Sequence, residues 1–153
     1  MEPVIVRPVT FADLHASPQF AALADEYTQE SANPEMGAVV PDIDAYRRAE
    51  AAGVLHFVGA YRGDDLVGYV VVAVNASPHY QGKRVAVTES IFVASAHRRT
   101  GAGMKLLRAA EETARAAGAV ALVVSAPIGG RLAQVLPRSG FRATNTFFFR
   151  GLA

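Results

Sequence analysis

The feature of this sequence that most constrains its fold is the succession of a strand, an amphipathic helix and a second strand over residues 85–124. Residues 85–93 (VAVTESIFV) favour a strand, and the apolar positions of residues 100–118 recur at helical spacing. Residues 119–124 (AVALVV) are apolar throughout, which predicts a buried strand parallel to the first one. The sequence therefore predicts a right-handed β-α-β crossover, because parallel strands need a long connection.

Further elements are predicted on both sides of this unit. In chain order they are a strand at residues 4–9, a helix that starts near Phe20 and stops before Pro34, a short helix from Asp42 to Gly53, a hairpin of strands at residues 54–61 and 66–74, a last short helix over residues 129–136 and a closing strand at residues 141–149. The resulting order is β-α-α-β-β-β-α-β-α-β. It predicts one domain of mixed α/β (α+β) type over residues 1–153.

Composition excludes several classes of protein. The chain has 153 residues, the length of one compact domain, and its 15 Lys and Arg against 14 Asp and Glu give a net charge of +1. No broad positive field therefore draws it to nucleic acid or to an anionic membrane, so any anion is expected to bind locally. The absence of cysteine excludes disulfides, a thiolate nucleophile and a cysteine zinc site, and the four dispersed histidines predict no metal.

The sequence also predicts a location. The acidic start (MEPVIVRPVT) is not typical of a signal peptide, and no segment approaches the ~18 consecutive apolar residues of a membrane span. Together with the absence of cysteine, this predicts a soluble protein of the cytoplasm.

A basic turn with two glycines joins the strand at residues 85–93 to the helix. Its sequence is Arg98-Arg99-Thr100-Gly101-Ala102-Gly103. Unpaired amides at a helix N-terminus bind phosphate, and glycines let the backbone approach an oxygen, so the turn is a predicted anion site. The alternative is a tight solvated turn. The turn lacks the Lys-Ser/Thr of a P-loop, and Leu106 stands where a dinucleotide fingerprint has its third glycine.

This turn matches the (Gln/Arg)-x-x-Gly-x-(Gly/Ala) pyrophosphate loop of the GNAT N-acetyltransferase superfamily, and the element order resembles that family over the whole chain. The sequence Arg138-Ser139-Gly140-Phe141 is similar to the family's final corner between helix and strand. The resemblance implies the GNAT fold, a mixed, mostly antiparallel sheet of six to seven strands flanked by helices, whose fourth and fifth strands splay apart. It also implies an enzyme that transfers acetyl from acetyl-CoA directly to a primary amine.

By the same resemblance, acetyl-CoA is expected to bind at the turn and along the preceding strand. The implied residues are Arg98, the amides of Arg99, Thr100, Gly101, Ala102, Gly103 and Met104, and the strand-edge groups of Ile91, Phe92 and Val93. The resemblance further implies that the amide of Phe92 polarises the thioester carbonyl.

Candidate catalytic residues lie on and around the strand at residues 85–93. Glu89 stands where many family members carry a glutamate that accepts the amine proton, and its alternative role is a structural carboxylate paired with Arg or Ser90. The family commonly places a tyrosine, as general acid, where this sequence has Leu136. Tyr80, His79 and Ser125 are the substitutes suggested by loop position, each with a structural or surface role as the alternative.

The acceptor amine belongs to a small molecule or to a peptide or protein. Acceptor contacts are expected from the early helices and the loop at residues 75–84, with Tyr27, Glu30 and Tyr46 as candidates, although aromatic residues there are also typical of a core. The tail at residues 144–150 (TNTFFFR) is expected to cover the pocket or form a homodimer interface. Two other functions stay open: a non-catalytic acyl-CoA-binding or protein-interaction module, and a nucleic-acid-binding domain, which lacks a wide basic face.

Overall fold

A five-stranded sheet organises the computed structural model of the chain, which describes residues 2–31 and 33–153. The strands lie side by side in chain order. Their bounds are β1 (Val4–Val9), β2 (Leu55–Arg62), β3 (Asp65–Ser77), β4 (Lys83–Val93) and β5 (Ala119–Val123). Neighbouring strands are antiparallel except β4 and β5, which are parallel. The predictions of a mostly antiparallel sheet and of a β-α-β crossover are confirmed.

Helices pack on both faces of the sheet. One face is covered by α1 (Phe11–Ala16), α2 (Phe20–Ser31) and α3 (Ile43–Ala51), and the other by α4 (Ala102–Ala116), while α5 (Arg131–Val135) follows β5. Each face of the sheet has its own hydrophobic core. Both cores include side chains of β3, because successive side chains of a strand point to opposite faces. Tyr69 and Val71 belong to the core under α1 to α3, and Val70 and Val72 to the core under α4. In the described ranges, no helix is long and apolar enough to cross a membrane.

Three helices precede β2, where the sequence analysis predicted two. The predicted helix after Asp42 is confirmed, and Asp42 Oδ1 accepts a hydrogen bond from the Ala45 amide at 3.0 Å. The helix that was not predicted is α1. It begins with a capping box in which Thr10 Oγ1 accepts from the Asp13 amide at 3.1 Å and Asp13 Oδ2 accepts from the Thr10 amide at 3.2 Å. The spacing Thr-x-x-Asp was the sequence signal for it.

The C-terminal region differs from the prediction. Residues 141–153 contain no helix or strand, so the predicted closing strand at residues 141–149 is wrong and the sheet has five strands instead of six to seven. A strand needs a paired neighbour, and no described strand pairs with this segment. Without that neighbour β5 is also less buried than predicted, and Val120 is 66% exposed.

A slot opens between β4 and β5 because their pairing stops early. The last paired residues are Val87 and Val123, whereas β4 continues to Val93. The implied splaying of the fourth and fifth strands is therefore present, and it leaves the second half of β4 with an unpaired edge that leads to the start of α4.

Candidate active site

Glu89 occupies an irregular position in β4. In the pairing of β3 with β4, Val71 faces Ser90 and Val72 faces Thr88, so Glu89 has no partner residue. Such a β-bulge bends the strand and re-aims the extra side chain. Glu89 and Ser90 are consecutive, yet both line one cavity, whereas consecutive residues of a regular strand point to opposite faces. The bulge therefore brings the predicted base to the cavity.

The cavity encloses about 240 Å³ between the sheet and the helices α1 to α3. Six aromatic residues line it: Phe11, Phe20, Tyr27, Tyr46, Phe57 and Tyr69. Among the described residues that line it, Glu89 is the one with an acidic or basic side chain. The cavity thus combines an apolar wall with a single carboxylate.

Tyr46 holds the carboxylate of Glu89. Its hydroxyl donates a hydrogen bond to Glu89 Oε1 at 2.8 Å, and its ring is stacked on Phe11 with centroids 4.9 Å apart and planes at 8°. Burial raises the pKa of Tyr46, and the hydrogen bond to Glu89 and the charge of that carboxylate raise it further. Burial also raises the pKa of Tyr27 and of Tyr69. These phenols therefore remain protonated donors near neutral pH.

The backbone of β4 presents polar groups to the slot. The amide of Ala94, which follows β4, donates a hydrogen bond at 2.9 Å to the backbone oxygen of Val67 in β3. Since amide directions alternate along an antiparallel ladder, the amide of Phe92 also faces β3, and those of Ile91 and Val93 face the slot. The expectation that the Phe92 amide polarises the thioester is therefore wrong, because Ile91 and Val93 supply the amides on that side.

The predicted phosphate turn connects the slot to α4. Gly101 is the N-cap of α4 and has a φ of +84°, a conformation that favours glycine. The first backbone bond of the helix joins Lys105 N to Gly101 O at 3.1 Å, so the amides of Gly103 and Met104 lack a helical acceptor. A Cβ placed on Gly101 or Gly103 would meet no described protein atom within 4 Å. The turn thus combines unpaired amides with open space beside its two glycines, as an anion site requires.

Of the six amides predicted to bind the pyrophosphate, two donate hydrogen bonds inside the turn. The amide of Thr100 donates to His97 O, and that of Ala102 to Thr100 Oγ1, each at 3.4 Å. In the part of the chain that the structure describes, the amides of Arg99, Gly101, Gly103 and Met104 have no acceptor.

Arg98 fastens the turn to the rest of the molecule. Its Nε donates to Val93 O at 2.9 Å, and its Nη2 donates to the Glu30 carboxylate at 2.7 and 2.8 Å. Glu26 Oε1 lies 3.9 Å from the same Nη2 and accepts from the Ser95 amide, and hydrogen bonding from the Ser95 side chain and then from its amide lowers the pKa of Glu26. The expectation that Glu30 lines the acceptor pocket is wrong, because its carboxylate is bound to Arg98 and it does not line the cavity.

Residues 18–141 of the chain match the acetyltransferase (GNAT) family. The matched range includes β4, the turn and all of α4, where the site described above lies. The chain belongs to this family. The resemblance seen in the sequence is thereby confirmed, and with it the activity class, an acyl-CoA-dependent N-acetyltransferase.

Solved structures share this GNAT fold along almost the whole chain. A ribosomal-protein-alanine N-acetyltransferase from Brucella melitensis biovar Abortus 2308 is 22% identical, with 96% of this chain and 98% of that chain covered and a TM-score of 0.69. An aminoglycoside acetyltransferase from an uncultured soil metagenomic sample, in complex with trehalose, is 20% identical over 98% and 97%, with a TM-score of 0.74. Glucosamine-6-phosphate N-acetyltransferase from Arabidopsis thaliana is 12% identical over 97% and 98%, with a TM-score of 0.75. No curated protein matched the sequence.

The candidates for the general acid of this GNAT domain lie in different places. Tyr80 belongs to the 3₁₀ turn Pro78–Tyr80, which precedes the start of β4 at Lys83. The part of β4 between Lys83 and Glu89 rises ~3.3 Å per residue, so Tyr80 is on the order of 20 Å from Glu89. This distance excludes Tyr80, and His79 beside it, from the reaction. Ser125 lies at the slot, where its amide donates to Thr88 Oγ1 at 3.4 Å.

Leu136 stands where the family commonly has its tyrosine, and its side chain is buried. An apolar side chain cannot donate a proton, so this GNAT domain lacks that donor at this position. In the described residues no three metal-ligating side chains come together.

Most of the cavity wall was not predictable from the sequence. Tyr27 and Tyr46 were predicted to contact the acceptor, and both line the cavity, but Phe11, Phe57 and Tyr69 were not singled out. Helical or alternating periodicity identifies such residues as inward-facing and does not tell a core from a pocket.

Proposed function

We propose that this GNAT domain transfers the acetyl group of acetyl-CoA directly to a primary amine that enters the aromatic cavity. The acceptor is a small molecule or the amine of a peptide or protein. The observation that carries the proposal is the bulge at Glu89, because it sets a carboxylate in the cavity two residues before Ile91, whose backbone faces the slot. One strand thus offers a base to the acceptor and hydrogen-bonding groups to the donor. The chain has no cysteine, which agrees with direct transfer.

In this proposal, acetyl-CoA lies along the slot and the turn. Bound there, it supplies the activated acetyl thioester. The N–H and C=O of Ile91 and the N–H of Val93 pair with the amides of its pantetheine arm as a neighbouring strand would. The amides of Gly101, Gly103 and Met104 bind its pyrophosphate, with the side chain and amide of Arg99 beside them.

The remaining residues expected to bind acetyl-CoA have supporting roles. Arg98 holds Val93 O and Glu30, so it fixes the turn against α2. Thr100 and Ala102 contribute hydrogen bonds that shape the turn. The ring of Phe92 packs edge-on against Tyr27, which lines the cavity.

The acceptor ammonium must lose a proton before its nitrogen can attack the thioester. Glu89 accepts that proton, directly or through water. Tyr46 donates to Oε1, so Oε2 remains for the amine. The nitrogen then forms the new C–N bond as the C–S bond breaks, and the leaving sulfur receives the second amine proton. Ser125, whose backbone lies at the slot, is proposed to pass that proton in the absence of the family tyrosine.

The proposal is tested by measuring thiol release from acetyl-CoA with a panel of small amines and peptides. Glu89→Gln is expected to lower kcat/KM by about 10²–10⁴-fold, the usual contribution of general base catalysis. Its dissociation constant for acetyl-CoA, measured by calorimetry, should change less than about twofold, because Glu89 does not face the slot. Glu112→Gln, an exposed substitution on α4, is the matched control.

Two results would contradict parts of this proposal. Equal activity of Glu89→Gln and wild type on the best acceptor would remove Glu89 as the base. Tight acetyl-CoA binding without thiol release for any amine would favour the alternative, a non-catalytic acyl-CoA-binding module.

We also propose that the chain is a single domain of the cytoplasm that forms a homodimer. Residues 147–149 are exposed phenylalanines, with Phe148 at 92%, and β5 has one described neighbour, β4. Pairing of residues 144–150 from one copy with β5 of the other would cover both surfaces. Light scattering should give the mass of a dimer for the full chain and of a monomer for a chain truncated after Phe141. A monomeric full chain at the same concentration would contradict the dimer.

A further inference from the structure

We infer that the preferred acceptor is a monoamine with an apolar body, because the cavity has an aromatic wall and a single carboxylate. This inference rests on the proposed function and adds the substrate class.

The wall of the cavity contains two groups of contacting aromatic rings. Phe11 contacts Tyr46 at a centroid distance of 4.9 Å and Phe57 at 5.5 Å, and Phe20 contacts Tyr69 at 6.4 Å. Phe11, Phe57 and Tyr69 are also buried members of the core under α1 to α3. Their rings are therefore held by packing on the side away from the cavity. A rigid apolar wall of this kind favours an aliphatic or aromatic body over a polar one.

The charges around the cavity allow one ammonium group. Glu89 attracts the reacting amine, no other acidic side chain is among the described residues that line the cavity, and three acidic groups of the neighbouring elements are already engaged. Glu26 and Glu30 bind the turn through Ser95 and Arg98, and Glu50 Oε1 accepts from the Phe11 amide at 2.9 Å. A second ammonium at the far end of an acceptor would lose its hydration without gaining a carboxylate, which costs binding free energy.

The size of the cavity limits the acceptor further. Sites for drug-sized ligands measure about 300–1,000 Å³. At about 240 Å³ the cavity is smaller than these and fits a small amine or one terminal residue of a peptide. The phenols of Tyr27 and Tyr69 keep their protons, since burial raises the pKa of each, so they offer no negative charge to a second cation.

A matched series of three amines tests this inference. Hexylamine, 6-aminohexan-1-ol and 1,6-diaminohexane share the reacting amine and the chain length, and they differ at the far end, which is a methyl, a hydroxyl or an ammonium group. The value of kcat/KM, measured by thiol release, should fall in that order, with at least about a tenfold difference between the first and the last. Equal or higher kcat/KM for the diamine would overturn the inference and leave the proposed function intact.

The two proposals fail in different ways. If none of the three amines reacts and a polar or polycationic amine does, the substrate class is wrong and the transfer reaction stands. If no amine of a broad panel reacts, the proposed function fails and the inference fails with it.

A pair of neighbouring variants tests whether the cavity is the determinant. Val39 lines the cavity, whereas Val40 is 81% exposed and does not line it. Val39→Asp adds a carboxylate to the wall and should raise the ratio of kcat/KM for the diamine over hexylamine by at least about fivefold. Val40→Asp adds the same charge one residue away and should change this ratio much less. Equal changes in both variants would show that the cavity does not select the acceptor.

Discussion

The two halves of the site are built from different parts of the chain. The donor side, the slot edge of β4 and the turn before α4, consists mainly of backbone amides and carbonyls. The acceptor side, the aromatic cavity, consists of side chains from three helices, three strands and the loop before α3, around the carboxylate of Glu89. The shape of the donor side therefore depends little on side-chain identity and suits one ligand. The specificity of the acceptor side can change with each substituted residue.

This difference predicts how each side can be damaged. Most substitutions leave the backbone amides in place. The donor side should therefore be sensitive mainly to side chains that add bulk near these amides. The acceptor side should instead be sensitive to the removal of single polar atoms or rings. Four predictions test this contrast.

The largest of these four effects is expected for Gly103→Leu on the donor side. A Cβ at Gly103 meets no described protein atom within 4 Å, and leucine favours a helix over glycine by about 1 kcal/mol, so the variant should fold at least as well as wild type. The added side chain occupies the space in front of the amides. Calorimetry should show acetyl-CoA affinity falling at least tenfold, or about 1.4 kcal/mol. Glu112→Leu is the control on the same helix, and an unchanged affinity for Gly103→Leu would place the pyrophosphate elsewhere.

A smaller effect is expected for Tyr46→Phe on the acceptor side. The substitution removes the hydrogen bond to Glu89 Oε1 and keeps the ring stacked on Phe11. Loss of about 1 kcal/mol from this bond predicts a decrease in kcat/KM for the acceptor of about fivefold, without a change in acetyl-CoA affinity. Tyr80→Phe is the matched control, because Tyr80 lies at the opposite end of β4. Equal kinetics for the two variants would mean that Tyr46 does not support the base.

The same contrast explains what the sequence could predict. The donor side was predictable because β4, the turn and α4 are consecutive, and backbone amides at a helix start depend little on side-chain identity. Glu89 was predictable as a candidate because it stands on β4 where many members of the family carry a glutamate. Its place in the cavity was not, since the bulge depends on the register with β3, and the wall residues meet only after the sheet has formed.

Long-range pairs and edges account for the wrong expectations. Glu30 was expected in the pocket, but it pairs with Arg98, 68 residues away, which no local pattern indicates. The hydrophobic, aromatic end of residues 141–149 predicted a strand, although a strand forms only where an edge is available to pair with it. The short helix α1 carries few periodic positions, so its capping box was the stronger signal.

On the donor side, we expect Arg98 to contribute to stability and Arg99 to acetyl-CoA binding. Arg98→Ala removes the hydrogen bonds to Val93 O and Glu30 and should lower the free energy of unfolding by about 1 kcal/mol, because exposure of the pair reduces its contribution. Arg99→Ala should leave the free energy of unfolding unchanged and weaken acetyl-CoA binding. Urea unfolding and calorimetry on both variants distinguish the two roles, and a stability loss in Arg99→Ala equal to that in Arg98→Ala would contradict the assignment.

The smallest effect is expected for the contribution of Tyr69, on the acceptor side, to the free energy of unfolding at alkaline pH. Burial raises the pKa of Tyr69, with smaller contributions from Tyr27 and Glu89, so the folded protein keeps this phenolic proton above pH 10 while the unfolded chain releases it. Stability from this source is fully present below about pH 10 and is lost as the pH rises further, by less than about 1 kcal/mol at pH 10.5. Tyr69→Phe should therefore lose less stability between pH 8 and pH 10.5 than wild type in urea unfolding, and Tyr80→Phe, at an exposed position, should behave like wild type. Equal losses in wild type and Tyr69→Phe would show that water reaches this phenol, and the acceptor side would then be less apolar than its walls indicate.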